Sequence, residues 1–266
     1  MELTMLGTGH ALVTECYNTC FMVSEADRHL LVDGGGGNGI LRQLKYAGFS
    51  CGDIHDIFIT HKHTDHLLGI VWVARTICQL INQGNYAGEV NIYSQKEVIS
   101  LLQDLLQKLL IEKQWKAVKS HFHFIPVADR EEKLLLGRKV TFFDIQSTKE
   151  KQFGFSMELG NGEKLTCCGD EPYRPCEKNY AKNSKWLMHE AFCLYAQADI
   201  FSPYEKHHST VKDACEIAES LGVQNLILYH TEDSSFPDRK RLYLEEGMQY
   251  FHGNLYVPDD LERFVL

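Results

Sequence analysis

Phe58-Ile59-Thr60-His61-Lys62-His63-Thr64-Asp65-His66 closes an apolar run that begins at Ile54. The run reads as a buried strand over 54–59, and the polar cluster as the loop at its end. Side chains alternate along an extended segment, so His61 and His63 point the same way. Neutral imidazoles and carboxylates are the usual ligands of zinc and related divalent ions. Four such groups on one short loop suit two adjacent ions, with His61 and His63 on one and Asp65 and His66 on the other. A single histidine here would read as part of a solvated loop. The dense pattern directly behind a strand points to a metal site.

Outward from that loop, the 266-residue chain is 44% hydrophobic, enough to bury a sizeable core in a single domain over residues 1–266. Lys and Arg number 27 against 36 Asp and Glu, a net charge of −9. That balance argues against a general nucleic-acid surface, though not against a small local basic patch. The nine cysteines are an odd number with no Cys-x-x-Cys spacing, and Cys167 and Cys168 are adjacent. They read as reduced thiols. Met1-Glu2-Leu3-Thr4 lacks the basic start of a secretory signal. No apolar run is long enough to span a membrane. A cytoplasmic protein is expected.

Before the metal loop, strands are expected over 2–6, 20–23 and 29–33, the last two as a hairpin, followed by a helix over 40–47. After it, apolar residues from Leu67 to Ile81 recur at helical spacing. A strand over 90–93 leads to Ser94, a candidate N-cap with Glu97 three residues on, for a helix to about Ile111. Its leucine-rich side reads as core, with a homodimer contact as the alternative. Strands are then expected over 122–127, 139–145, 153–159, 164–168, 186–191 and 225–229. Ser209 is the candidate cap of a helix over 210–221 that stops at Gly222. A last helix, 239–249, precedes a strand-like tail at 255–257. Strands first, then alternating strands and helices in each half, suit two sheets sandwiched between helices.

Gly34 to Gly37 with Gly39 also fits Gly-x-Gly-x-x-Gly. Asp53 comes too soon after it for the acid of a dinucleotide fold, and the next strand ends in histidines. A tight loop whose backbone passes near the site is the better account.

The motif His61-Lys62-His63-Thr64-Asp65-His66 resembles the signature of the metallo-β-lactamase-fold hydrolases. The resemblance extends over almost the whole chain. Leu6-Gly7-Thr8-Gly9 with Val32-Asp33-Gly34 is similar to that family's N-terminal pattern. Cys168-Gly169-Asp170 resembles the motif whose aspartate bridges both metals, and Leu226 to His230 the last motif, whose histidine completes the second site. The resemblance implies an α/β fold, a four-layer αββα sandwich, with two divalent ions, zinc first and manganese, nickel or iron as alternatives. His189-Glu190-Ala191 and His208-Ser209-Thr210 resemble segments of the ribonuclease Z-like branch. There the glutamate pairs with the histidine of the second segment, which donates a proton to the leaving group. Carried over, Glu190 would hold His208 as a general acid.

Two departures stand out. Between Gly154 and Asp170 there is only a Gly160-Asn161-Gly162 turn, with no room for the exosite arm that grips transfer RNA in ribonuclease Z. This argues against transfer RNA as the substrate. The stretch Asp144 to Lys149, which resembles the third motif, holds no histidine. Spacing points to Thr148 and strand-end position to Gln146 as its replacement, and neither is a good zinc ligand. His121 and His123 are weaker candidates on another strand. The first ion should therefore bind more weakly than the second.

The expectation is a metal-dependent hydrolase of a small phosphodiester or related ester. Metal ligands would be His61, His63, Asp65, His66, Asp170 and His230, with Asp65, Glu190 and His208 as catalytic groups. A non-catalytic metal- or ligand-binding member and an RNA-cleaving nuclease are the alternatives.

Overall fold

The computed structural model describes residues 1–266. In chain order the strands and helices are β1 (Glu2–Gly7), β2 (Cys20–Glu25), β3 (Arg28–Val32), α1 (Gly39–Ala47), β4 (Asp56–Phe58), α2 (Thr64–Gln83), β5 (Val90–Ser94), α3 (Lys96–Leu109), α4 (Glu112–His121), β6 (Phe122–Pro126), β7 (Glu132–Leu135), β8 (Arg138–Asp144), β9 (Phe153–Gly160), β10 (Glu163–Cys167), α5 (Lys178–Ala181), β11 (Trp186–Glu190), α6 (Ala198–Phe201), α7 (Val211–Ser220), β12 (Asn225–Tyr229), α8 (Arg239–Gly247), β13 (Asn254–Tyr256) and β14 (Arg263–Val265). The chain divides into two compact units. The first comprises Met1–Gly7, Tyr17–Val127 and Leu261–Val265, the second Thr8–Cys16, Ala128–Asp260 and Leu266.

The first unit holds a seven-stranded sheet in the order β14-β1-β2-β3-β4-β5-β6. Pairing is antiparallel from β14 to β3 and parallel from β3 to β6. The expected β2–β3 hairpin is present, with Phe21 opposite Val32. Helix α2 lays Ile70, Ala74 and Ile77 into a core shared with Leu31, Ile57 and Ile92. Residues at intervals of three and four fall on one helical face, so the spacing read from the sequence is the buried stripe.

The second unit holds another seven-stranded sheet, β13-β12-β11-β10-β9-β8-β7. It is antiparallel from β7 to β10 and parallel from β10 to β13. Its core joins Leu187, Leu226 and Leu228 of the parallel strands to Val211, Ala214 and Ala218 of α7 and Tyr243 of α8. Strands β9 and β10 join through a tight turn, Glu163 standing opposite Gly160. No arm is inserted there.

Several elements differ from the reading above. Strand β4 covers only Asp56–Phe58, because the chain before it makes a 3₁₀ turn at Cys51–Asp53 capped by Ser50. Helix α2 starts at Thr64 rather than Leu67, so Asp65 and His66 lie in its first turn, not on a loop. A carboxylate there is favoured by the helix dipole. Ser94 does not cap a helix: it ends β5 and its hydroxyl donates to Ile59 O, while α3 begins at Lys96. The expected single helix to Ile111 ends at Leu109, and α4 follows. Leu109 and Ile111 at that break are exposed. Thr210, not Ser209, caps α7, in a reciprocal box with Asp213. The short strands β7 and β14 carry too few residues to show a period, and the sequence reading missed both. No helix is long and apolar enough to cross a membrane.

Candidate metal centre

In the first unit the sequence itself brings the candidate ligands together. His61 Nε2 and His63 Nδ1 lie 2.8 Å apart, the same-side arrangement expected of an extended segment. His66 Nε2 lies 3.5 Å from Asp65 Oδ2. Behind them stands Asp33, which the sequence reading quoted within a motif but gave no role. Its Oδ1 accepts the Thr60 N–H at 2.8 Å, and its Oδ2 accepts the Thr60 hydroxyl at 2.7 Å and His66 Nδ1–H at 2.7 Å. With the Thr60 hydroxyl donating to Asp33, its oxygen accepts from His61 Nδ1, 2.9 Å away. Both histidines thereby hold their protons on Nδ1, which leaves the Nε2 lone pair of each as the candidate donor to a metal. This is the outer carboxylate support that metal-binding imidazoles commonly use. An acid at the end of a strand and directly before glycine was the available signal.

The glycine run packs as a tight loop beside this cluster. Gly34 N–H donates to His66 O at 2.8 Å, and Gly69 N–H of α2 donates to Gly35 O at 2.8 Å. A Cβ on Gly69 would fall 1.7 Å from Gly34 O, so only glycine permits this approach.

In the second unit the candidate residues come from separate strand ends. Asp170 follows β10, Glu190 ends β11, and His230 follows β12. His208 precedes α7. His230 Nε2 lies 3.4 Å from Asp170 Oδ2. His208 Nδ1 lies 3.5 Å from Glu190 Oε2. Ligand atoms of Glu190, His208 and His230 all fall within 4.8 Å of one another. Burial works to lower the His208 pKa, but the nearby negative charge of Glu190 outweighs it and holds the imidazole above its ordinary range. Glu190 also accepts the Ser209 N–H. Phe192 stacks on His208 with ring centres 5.0 Å apart. Lys149 Nζ reaches to 3.4 Å from His208 Nε2. His189 turns its Nδ1 to Glu190 O at 2.7 Å.

The third-motif stretch behaves differently from the expectation. Gln146 and Thr148 are both exposed, and Thr148 Oγ1 is hydrogen-bonded to His207 Nδ1 at 2.9 Å. The residue that reaches Asp170 is Gln152, at 1% exposure. Its Oε1 accepts the Asp170 N–H at 2.7 Å and its Nε2 donates to Asp170 Oδ1. A buried glutamine just before a strand carries no pattern of its own, which is why the sequence reading passed over it. His121 and His123 are engaged elsewhere, with Ser120 at 2.7 Å and Glu89 at 3.4 Å.

A family model described as "Anti-Pycsar protein Apyc1" matches residues 1–251. The chain belongs to that family. Ribonuclease Z of Pyrococcus abyssi is 25% identical, the match covering 100% of this chain and 96% of the relative. Ribonuclease Z of Archaeoglobus fulgidus is 26% identical, over 97% and 95%. Among solved structures, the metallo-β-lactamase-fold protein YhfI from Bacillus subtilis superposes with a TM-score of 0.82 at 17% identity, covering 99% of this chain and 98% of its own. The short form of human tRNase Z gives 0.74 at 22% identity, over 100% and 99%. The α/β fold of this Apyc1-family chain is thus the metallo-β-lactamase fold, as the motif resemblance implied.

The donor chemistry of each unit fits divalent ions. Imidazole nitrogens and buried carboxylates are the ligands that zinc and its neighbours take. Two cavities open in the second unit beside Pro172 and Tyr173. One, of about 190 Å³, is lined also by His189, Tyr204 and His208. The other, of about 300 Å³, is lined by Thr148, Glu171, Arg174 and His207.

Proposed function

We propose that this protein is a metal-dependent hydrolase of a small phosphodiester or related ester, acting as one domain over residues 1–266. The ligands are those the motifs imply: His61 and His63 for one ion, Asp65, His66 and His230 for the other, with Asp170 shared. Divalent ions held by these residues would make a bound water a better nucleophile and offset charge on the attacked centre. Asp65 orients that nucleophile. Asp33 keeps His61 and His66 in the ligating tautomer. His208, turned toward Glu190, gives its proton to the leaving oxygen. The observation that carries the reading is the His208–Glu190 pair beside His230. A raised imidazole pKa keeps an acid available near neutral pH. The anti-Pycsar role in the family's description would come to this chain through such hydrolysis.

The experiment is turnover of bis-p-nitrophenyl phosphate after loading with zinc, manganese, nickel or iron. Activity should appear with at least one metal and fall at least ~10³-fold in Asp65→Ala. Metal uptake without turnover under all four metals would leave the protein a binding member of its family. The names of the ribonuclease Z relatives favour a second reading, cleavage of RNA. Cleavage of unstructured RNA, lost in Asp65→Ala and faster than that of the small ester, would decide for it. The direct β9–β10 turn supports the small substrate, since it leaves no arm to hold a transfer RNA.

A further inference from the structure

We infer that Gln152 is the positioning residue of the metal centre, holding Asp170 by both ends of its amide so that the carboxylate is oriented before any ion arrives. This rests on the metal-hydrolase reading above. The amide makes two contacts with one residue: Oε1 accepts the Asp170 backbone N–H, and Nε2 donates to Asp170 Oδ1. Two contacts fix rotation about the carboxylate as well as its position. The side chain is 1% exposed, so water does not compete for either contact.

The surrounding chain is shaped to this clamp. Gly169 has φ +80°, and a Cβ there would stand 2.0 Å from Gln152 Oε1. Glycine in the Cys168-Gly169-Asp170 motif therefore serves the approach of the glutamine as well as the turn. The base of the clamp is tied down in turn. Gln152 O accepts the Ile145 N–H at 3.1 Å, fastening it to the end of β8. On the other side, the Tyr229 hydroxyl donates to Gly169 O. Asp170 is gripped from β8–β9 and from β12 together.

The consequence is a division of labour between the two carboxylate oxygens. Oδ1 faces Gln152, and Oδ2 lies 3.4 Å from His230 Nε2. A carboxylate oxygen offers two lone-pair directions. Gln152 takes one on Oδ1 and leaves Oδ2 on the side of His230, where it would be available to an ion. Both amide ends are committed to Asp170, so Gln152 does not replace the histidine absent from the third motif as a ligand. It contributes by orientation.

The test is zinc affinity by competition with a chromophoric chelator, read on Gln152→Met, which keeps the volume and loses both hydrogen bonds. Losing an outer partner of a ligand typically weakens metal binding about 10–100-fold, and that loss is expected here. Thermal unfolding of the chelator-treated proteins runs in parallel. If Gln152→Met lowers Tm of the metal-free protein but binds zinc as tightly as the parent, the glutamine is structural only and the inference fails. If Gln152→Met does not fold, Gln152→Asn keeps the amide one methylene short of making both contacts, and carries the same expectation and the same reversal. Asp170→Asn separates the two levels of the argument. Unchanged zinc binding in Asp170→Asn would overturn the metal reading itself. Lost binding there with none lost on changing Gln152 would overturn only the role of Gln152.

Discussion

The two units assemble their candidate ligand sets in opposite ways. In the first, His61, His63, Asp65 and His66 are neighbours in the chain. One strand end and one helix start deliver them together. In the second, Asp170, Glu190, His208 and His230 come from the ends of three adjacent parallel strands and the entrance to a helix, and only sheet pairing makes them neighbours. The two sheets nonetheless follow one plan. Each is antiparallel on one side and parallel on the other, and each places its polar groups just past the carboxyl ends of the parallel strands, where open α/β sheets usually bind ligands. Both plans also use a left-handed residue at a strand end, Asp33 at φ +57° and His230 at φ +56°. Such a backbone is uncommon outside glycine and tends to mark functional positions. The contrast teaches that a contiguous ligand set needs its supporting carboxylate close at hand, whereas a dispersed one is held by the sheet.

The sharpest way to break the comparison is at the dispersed half. His208→Ala should lower kcat about 10²–10⁴-fold on an ester with a poor leaving group, such as an alkyl phosphodiester, and far less on a p-nitrophenyl ester. A nitrophenolate needs no proton to depart. Equal losses on both substrates, read from steady-state kinetics, would remove His208 as the acid and leave the second unit only its ligands.

A smaller effect is expected at the contiguous half. Asp33→Asn keeps the shape of the side chain but weakens its hold on His66 and Thr60. Zinc affinity should fall about 10–100-fold in chelator competition, as for other outer carboxylates behind ligating imidazoles. No change would mean that chain contiguity alone sets the ligands and that the Asp33 bonds are packing.

An effect on stability alone, away from the candidate ligands, is expected at Glu177, buried in the second unit near Cys168. Burial raises its pKa from 4.5 to about 8, although the Arg174 N–H donates to it at 2.7 Å. The folded protein thus holds a proton that the unfolded chain gives up at lower pH. That contribution is complete below the unfolded pKa and is lost as pH rises toward 8. The loss is at most about 1.4 kcal/mol per pH unit. Between pH 5.5 and 8.5 the metal-free parent should lose Tm relative to Glu177→Gln, by about 2–4 °C for each kcal/mol. Parallel Tm profiles for the two would show that Glu177 is ionised in the folded state throughout.

The candidate residues at His61 to His66, Asp170, Glu190, His208 and His230 could be proposed from the chain alone, because each stands in a short pattern of residue types able to bind metal or move a proton, next to the end of a strand or the start of a helix. The apolar spacing of α2 and the β2–β3 hairpin were legible for the same reason: local geometry imposes a local period. The helix start at Thr64 was not, since its first residues are Thr64, Asp65 and His66 rather than apolar ones. Nor was the break between α3 and α4, where exposed Leu109 and Ile111 continue the apolar composition past the end of the helix.

What the sequence determined by itself is therefore the inventory of candidate groups: which residue types, in which order, beside which strand ends. What only the tertiary structure decided is which side chains steady them. Asp33 reaches His66 and Gln152 reaches Asp170 across separations in the chain that carry no periodic signal. A hydrogen bond between distant residues is chosen by the packing of the elements that carry them, so a lone aspartate or glutamine shows its partner only once the sheet has formed.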